Sequence, residues 1–289
     1  MPGHNHHHGD LDSKKLYWAV GINILLTVFQ VIGGVLSGSL SLVADALHNF
    51  SDAGALIVAV IARKIGNKPA DNKRSYGYKR AEILGTLINS TTLVLIGVYL
   101  CYESVNRYFN PGPIDGWIVV WVAALALVID IATALLVYLS GGKDNLNMRA
   151  AFIHNVSDAL ASVVVIVAGT LIILYQIYIV DLIATVAISL YVVYHGVILL
   201  KQSISILMQS VPSGIDLDFV REQILTLDGV EDADHIHLWQ LDDKKVFFEG
   251  HLVIAAGADS TEVKRLVRDQ LIQKFQVDHA TIEVHKTKA

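Results

Sequence analysis

Two short polar segments interrupt apolar stretches of the chain and nearly repeat each other. The first, His-Asn-Phe-Ser-Asp-Ala, begins at His48, and the second, His-Asn-Val-Ser-Asp-Ala, begins at His154. Four residues after each histidine comes an aspartate, Asp52 in the first segment and Asp158 in the second. Residues four apart lie on the same face of a helix, so each pair would present an imidazole and a carboxylate side by side.

Two imidazoles and two carboxylates form a donor set with a definite chemistry. If the two faces meet, they supply four ligands suited to tetrahedral Zn²⁺. The two carboxylates would also neutralise a divalent cation, which offsets the cost of charge inside a membrane. The alternative is that each His–Asp pair is only a hydrogen bond that packs helices together. The sequence therefore predicts a metal site composed of His48, Asp52, His154 and Asp158.

The composition indicates that these segments lie in a membrane. The 289 residues are 53% hydrophobic and 17% charged, with a mean hydropathy of +0.50 and a net charge of −5. Soluble domains carry about 25% charged residues. Residues 201–289 hold 25 of the 49 charged side chains, which predicts a membrane domain followed by a soluble one. Low charge with net acidity also argues against a nucleic-acid partner.

The apolar stretches predict six transmembrane helices, since about 20 residues of helix cross the hydrocarbon core. Ser37-Gly38-Ser39 divides the run from Tyr17 to Val60 into the first two spans. The other four spans lie near 81–108, 117–139, 148–174 and 180–200. We therefore predict three regions, namely a histidine-rich tail at 1–15, a six-helix membrane domain at 16–205 and a cytoplasmic domain at 206–289.

The basic residues indicate how the spans are oriented. Seven Lys and Arg lie at 63–80, between the second and third spans, whereas the links between spans one and two and between spans five and six carry none. The positive-inside rule then places both termini in the cytoplasm. In that topology the second and fifth spans run in opposite directions. The His–Asp repeat is then an inverted repeat, as in secondary transporters that bind their substrate near the midplane.

The segment after the last span has the pattern of a small α+β domain. We predict a helix at 216–227, strands at 233–241 and 246–255, a helix at 259–275 and a strand at 281–285. Val263 rather than a glutamate follows Ser260 by three residues, so no capping box is expected there. The order αββαβ favours a ferredoxin-like fold.

Four motifs carry a resemblance to a known family. The run from Ser39 to His48 leads to Asp52, residues 76–82 read Tyr-Gly-Tyr-Lys-Arg-Ala-Glu, and residues 235–239 read His-Ile-His-Leu-Trp. With His154-xxx-Asp158, they resemble the cation diffusion facilitator family in its zinc-transporting branch, of the bacterial zinc/cadmium efflux type. The resemblance implies a homodimer in the bacterial inner membrane, in contact with lipids, that exports Zn²⁺ and Cd²⁺ in exchange for H⁺.

The resemblance also implies metal sites in the cytoplasmic domain, where Zn²⁺ would be a regulatory ion. Asp234, His251 and His285 match the positions of dinuclear zinc ligands at a dimer interface. Thr287 stands where a further carboxylate ligand is expected. The alternative is that these histidines are solvated surface residues.

Two further regions bear on metal binding. Some relatives bind an extra ion between the second and third spans through an aspartate and two histidines. Here Asp71 is present, but Arg74 and Tyr78 stand where the histidines would fall, so we expect no metal there. At the N-terminus, a cluster of histidines forms at best a flexible metal-attracting tail: His4, His6, His7 and His8.

Proton exchange follows from the donor types. Histidine binds metal only when neutral, and its ordinary pKa is about 6.5, so metal and protons compete for the same nitrogens. Among the other carboxylates of the spans, Asp45 could orient the ligands, and Asp130 could relay protons.

Other functions need features that are missing here. Two His and two Asp also accept Co²⁺ or Fe²⁺, so another exported ion is an alternative. A membrane metalloenzyme needs a ligand position left open for water, and a channel should not hold its ion in a closed shell, so we expect no enzyme. A membrane-anchored zinc sensor is the remaining alternative from a different class.

Overall fold

The computed structural model describes residues 9–139 and 146–286. In this part of the chain, six long helices come first: α1 (Gly9–Ser37), α2 (Leu40–Gly66), α3 (Ala81–Phe109), α4 (Gly116–Leu139), α5 (Leu146–Tyr175) and α6 (Ile179–Leu207). Five of them, α2 to α6, are long and apolar enough to cross a membrane, and α1 contributes the apolar stretch Ile24–Ser37. The predicted helical membrane domain is therefore confirmed. The helix α6 continues about two turns beyond its predicted end.

The break between α1 and α2 lies where the turn residues predict it. Gly38 has a φ of +72°, a conformation that favours glycine. A Cβ atom at this position would lie 2.8 Å from the carbonyl oxygen of Pro113. The Ser39 hydroxyl then accepts a hydrogen bond from the Leu42 amide at 3.1 Å, which caps the start of α2.

A second cap of α2 comes from α6. Asp181 lies in the first turn of α6, and its side chain is fully buried. Its carboxylate accepts hydrogen bonds from the Leu40 amide at 2.8 Å and from the hydroxyls of Ser39 and Ser41 at 2.5 and 2.6 Å. A carboxylate at a helix N-terminus is favourable because the free amides and the helix dipole both attract a negative charge.

Residues 9–57, 89–139 and 146–198 form one compact unit. Its buried core takes one or more apolar residues from each of α2 to α6: Leu42, Leu93, Val119, Val165 and Ile188. The helices α4 and α5 approach each other closely, because a Cβ atom at Gly169 would lie only 2.9 Å from the Val119 side chain. This packing holds α5 within the bundle that also contains α2.

Residues 58–88 and 199–286 form the other compact unit. After α6 come α7 (Leu217–Leu225), β1 (Val230–Gln240), β2 (Val246–Ile254), α8 (Ser260–Phe275) and β3 (Val277–Lys286). The strand order is β1-β2-β3, with β1 and β2 antiparallel and β2 and β3 parallel. The helix α8 makes the crossover that a parallel pair needs. The predicted αββαβ order is confirmed, and Phe248, Leu252, Val267 and Leu271 lie in its core.

Several elements of this domain begin or end at other residues than predicted. The helix α8 begins at Ser260, one residue later than predicted, because Asp259 is its N-cap and its carboxylate accepts from the Thr261 amide at 2.9 Å. The strand β3 begins at Val277, four residues early, because Gln276 ends α8 in a left-handed conformation and Val277 pairs at once with Val246. The strand β1 likewise begins at Val230 rather than 233.

Candidate metal centre

The two polar segments lie on α2 and α5, and their four ionisable side chains meet. Nε2 of His48 lies 3.7 Å from Oδ2 of Asp52 on its own helix and 3.4 Å from Oδ1 of Asp158 on the other. Nε2 of His154 lies 3.5 Å from Oδ2 of Asp158 and 3.3 Å from Oδ2 of Asp52. Each histidine therefore faces both carboxylates, and each carboxylate faces both histidines.

These separations are close to the distances between neighbouring ligands of a bound metal ion. Ligands bound to a tetrahedral Zn²⁺ at about 2.0–2.1 Å lie about 3.3 Å from one another. The four nitrogen–oxygen separations span 3.3–3.7 Å, close to this value, with Asp158 turning Oδ1 toward His48 and Oδ2 toward His154. One ligand atom each from His48, Asp52 and Asp158 lies within 4.8 Å of the other two, whereas His154 is outside this group of three and its ring centre is 6.2 Å from that of His48.

Several polar atoms of this cluster are buried without a hydrogen bond. In the described part of the chain they are Nδ1 of His48, Oδ2 of Asp52 and Oδ1 of Asp158. A buried carboxylate oxygen without a partner is costly, so an ion between the two carboxylates would remove that cost. The His48 and Asp158 side chains are 12% and 8% exposed, whereas His154 is 47% exposed, so the cluster is most open at His154.

Polar contacts around the cluster fix the helices that carry it. Asp45, fully buried on α2, accepts a hydrogen bond from the Gln30 amide of α1 at 2.6 Å. Gln30 in turn accepts from Asn49 at 3.0 Å. Asp130 of α4 accepts from the Ser162 hydroxyl of α5 at 3.1 Å. Sequence reasoning missed Gln30, although a glutamine within an apolar span was a usable signal.

The cytoplasmic-domain candidates also come together. In the sheet Asp234 pairs with His251, and Nδ1 of His251 lies 3.6 Å from the Asp234 carboxylate. Glu283 lies between the two histidines, 3.6 Å from Nε2 of His251 and 3.4 Å from Nε2 of His285. Ligand atoms of His251, Glu283 and His285 lie within 4.8 Å of one another. All four side chains are exposed or half-buried.

Glu283 was missed by the sequence reasoning. It lies two residues before His285 on β3, and residues two apart in a strand share a face, so strand alternation could have found it. Thr287, which stands at the expected carboxylate position, lies outside the described residues, as do His4, His6, His7 and His8.

A bulge shapes the same face of the sheet. The pairing of β1 with β2 shifts between Asp234 and His237, and His235 has a φ of +51°. Its ring stacks on that of His251 at 4.8 Å and contacts that of His237 at 4.9 Å. The bulge interrupts the regular alternation that would place His235 and His237 on one face of an unbroken strand, yet the two rings remain neighbours.

The loop between α2 and α3 uses its carboxylate for hydrogen bonds. Asp71 accepts from the Tyr78 hydroxyl and from the amides of Lys73 and Arg74, each at 2.8 Å. These bonds, the Tyr78 hydroxyl first and the Lys73 amide second, hold the pKa of Asp71 below its ordinary value. Asp71 therefore acts here as the centre of a compact turn.

Comparisons with known proteins agree with this arrangement of helices and domain. The cation efflux transmembrane domain matches residues 16–208, and the cation efflux protein cytoplasmic domain matches residues 212–286. The zinc transporter ZitB of Pectobacterium atrosepticum is 32% identical over 97% of this chain and 88% of its own. The metal cation efflux system protein CzcD of Cupriavidus metallidurans is 35% identical over 97% and 89%.

A third relative has a name that describes an exchange. The cadmium, cobalt and zinc/H⁺–K⁺ antiporter of Bacillus subtilis is 33% identical over 98% of this chain and 91% of its own. Both family models together cover nearly the whole chain, and the five described spans place it in a membrane. The chain therefore belongs to the cation efflux family, also called cation diffusion facilitators, and is an integral membrane protein.

Proposed function

We propose that this protein exports Zn²⁺, and with it Cd²⁺, from the cytoplasm in exchange for H⁺. The ion would bind between the two His–Asp pairs on α2 and α5. The observation that carries the proposal is that each histidine lies 3.3–3.7 Å from both carboxylates, close to the distance between neighbouring ligands of a tetrahedral zinc ion.

The choice of ion rests on the donor types. Two imidazoles and two carboxylates suit Zn²⁺ and Cd²⁺, and they also accept Co²⁺ or Fe²⁺. The names of the relatives include zinc, cadmium and cobalt. We therefore rank Zn²⁺ and Cd²⁺ first and an exporter of Co²⁺ or Fe²⁺ as the alternative.

Proton exchange is supported by the charge of the cluster. Two carboxylates in the membrane domain need a compensating positive charge when the ion leaves. The nitrogens of His48 and His154 that would bind metal can instead bind protons. A more acidic outside would then favour release, and the name of the Bacillus subtilis relative describes such an exchange.

The site location supports alternating access. We propose that both termini lie in the cytoplasm of a bacterial inner-membrane protein, as the distribution of basic residues indicates. The second and fifth helices then form an inverted repeat with the ion between them. Rocking of the two halves about that fixed site would expose it to each side in turn.

The test is ion flux through the purified full chain in proteoliposomes with an imposed pH gradient. Zn²⁺ and Cd²⁺ flux should accelerate when the side that receives the metal is acidified. His154→Gln should stop flux, whereas His195→Gln, which alters a histidine packed on Tyr191 and Tyr194, should not. Metal binding without flux would instead support the zinc sensor, and flux that ignores the gradient would indicate a uniporter.

The cytoplasmic cluster is proposed to bind regulatory Zn²⁺ and to strengthen a homodimer. Asp234, His251, Glu283 and His285 supply the donors, and a bridging cation would offset repulsion between two net acidic domains.

Glu283→Gln should therefore remove the zinc bound by this cluster and weaken zinc-dependent dimerisation. The measurement is bound zinc per chain and sedimentation in detergent, with Asp158→Asn in every sample to remove the transport site. Glu222→Gln, an exposed change on α7, is the matched control. If Glu283→Gln retains the same zinc content and the same zinc-dependent dimer as the control, the cluster does not bind regulatory zinc.

A further inference from the structure

A cavity of about 1000 Å³ lies where the C-terminal half of α2, the loop after it and the start of α3 meet Trp239 of β1. All of its lining residues belong to one compact unit. One wall is apolar, and the other end is basic. The metal clusters described above contribute no residue to it.

The apolar wall comes from the membrane helices. Val58 and Ile61 of α2 and Leu84 of α3 line it, and Ile61 and Leu84 are 55% and 48% exposed. The two helices pack closely here, because a Cβ atom at Gly85 would lie 2.8 Å from the Val58 side chain. These residues belong to spans, so their exposed apolar surface suits hydrocarbon chains.

The other end of the cavity carries four cations and no carboxylate. The lining includes Lys73, Arg74, Lys79 and Arg80, and neither Asp nor Glu. Arg74 donates to the Tyr78 hydroxyl at 3.3 Å. Among the described residues, none of Lys73, Lys79 and Arg80 forms a salt bridge, so their charged nitrogens have no carboxylate within 4.0 Å.

The Arg80 side chain carries a hydrogen-bond donor that no described residue pairs with. Its Nε atom is buried and has no hydrogen-bond partner in the described part of the chain. Its guanidinium carbon lies 5.8 Å from the centre of the Trp239 ring, which shields one face of the group. A buried donor without an acceptor is destabilising, and a guanidinium is well matched to the oxygens of a phosphate.

The neighbouring carboxylate does not supply that acceptor. Asp71 already accepts three hydrogen bonds within its turn, from the Tyr78 hydroxyl and from the amides of Lys73 and Arg74. Its pKa is held low by the same bonds, so it remains an anion bound to the loop. The turn thereby fixes Lys73 and Arg74 at the edge of the cavity.

We propose that this cavity binds an anionic phospholipid, with the phosphate at Lys79 and Arg80 and an acyl chain along Ile61 and Leu84. The basic residues lie just after the end of α2 at Gly66 and before the start of α3 at Ala81, which is the depth of lipid headgroups. Free phosphate would use the basic end alone and leave the apolar wall uncovered. The lipid would also contact Trp239, and so join the membrane surface to the sheet.

The experiment measures the affinity of the full chain in detergent for phosphatidylglycerol, phosphatidylcholine and inorganic phosphate. Native mass spectrometry and the rise in unfolding temperature report binding. We expect saturable binding of phosphatidylglycerol, with phosphatidylcholine and phosphate each at least about tenfold weaker. Phosphate as strong as phosphatidylglycerol would overturn the lipid assignment in favour of a simple anion site.

Two matched double variants separate the cavity from general surface charge. K79Q/R80Q should weaken phosphatidylglycerol binding at least about tenfold, whereas R63Q/K64Q should leave it nearly unchanged. Both remove two charges near the same membrane surface, but Arg63 and Lys64 do not line the cavity. Equal losses in both would overturn the proposal. If K79Q/R80Q does not fold, Lys73→Gln on the exposed loop replaces it, with Lys64→Gln as its control and the same two outcomes.

Discussion

Asp158→Asn should abolish zinc export while leaving the protein folded, and Asp52→Asn should do the same. Each change keeps the size of the side chain but removes one of the two negative charges that would neutralise the ion. Loss of a partner that merely orients a ligand costs about 10–100-fold in affinity or activity, so loss of a ligand should cost more than about 100-fold. Asp158 should be the more sensitive of the two, since its side chain is only 8% exposed.

The measurement is zinc flux in proteoliposomes, together with the unfolding temperature of each variant. Asp115→Asn is the matched control. Asp115 is exposed and caps α4 by accepting from the Trp117 amide at 3.0 Å, and asparagine caps nearly as well. Near wild-type zinc flux by Asp158→Asn or Asp52→Asn would show that the ion does not use this cluster.

The composition of the candidate site could be predicted because its chemistry is encoded locally. His48 and Asp52 share a helix face whatever the rest of the protein does, and so do His154 and Asp158. Ionisable residues within apolar spans usually have a function, so the sequence favours a metal site over hydrogen bonds that only pack the helices. The repeat of the motif suggested that both faces meet, although no local rule gives the four separations of 3.3–3.7 Å.

The contacts that hold these helices in place were beyond sequence reasoning. Asp181 caps α2 from 141 residues away along the chain. From sequence alone, Asp181 is only an acidic residue in the first turn of α6, at the membrane interface. The bond between Gln30 and Asp45 likewise joins α1 to α2 and depends on which faces pack together. Such contacts arise from tertiary packing, which neither periodicity nor propensity encodes.

In the cytoplasmic domain, too, the sequence predicts the features that local patterns encode but not those that depend on pairing between distant segments. Its αββαβ order follows from the alternation of apolar residues and from the turn at residues 242–245. The bulge at His235 does not, because it depends on how β1 is paired with β2. The exact start of α8 is not predicted by the pattern either, since Asp259 and Ser260 are both good caps and only the backbone conformation decides between them.

His48→Asp should change which ion the protein carries. Nε2 of His48 occupies one corner of the cluster, 3.4 Å from Asp158 and 3.7 Å from Asp52. The substitution replaces a borderline nitrogen donor with a hard oxygen donor, leaving three carboxylates and one imidazole. Imidazole suits Zn²⁺, whereas carboxylates and water suit Mn²⁺ in an octahedral shell. The shorter aspartate also leaves space for water. We therefore expect Mn²⁺ transport that the parent lacks, with reduced Zn²⁺ transport.

The measurement is uptake of each ion separately into proteoliposomes that hold equal amounts of folded protein. His48→Asn is the matched control, because it supplies an oxygen donor of the same size without the added charge. It should lose Zn²⁺ transport and gain little for Mn²⁺, which would assign the change in selectivity to the third carboxylate. If His48→Asp is folded and active but keeps the parent's preference for Zn²⁺ over Mn²⁺, His48 does not contact the transported ion. The ligands would then come from the other three side chains.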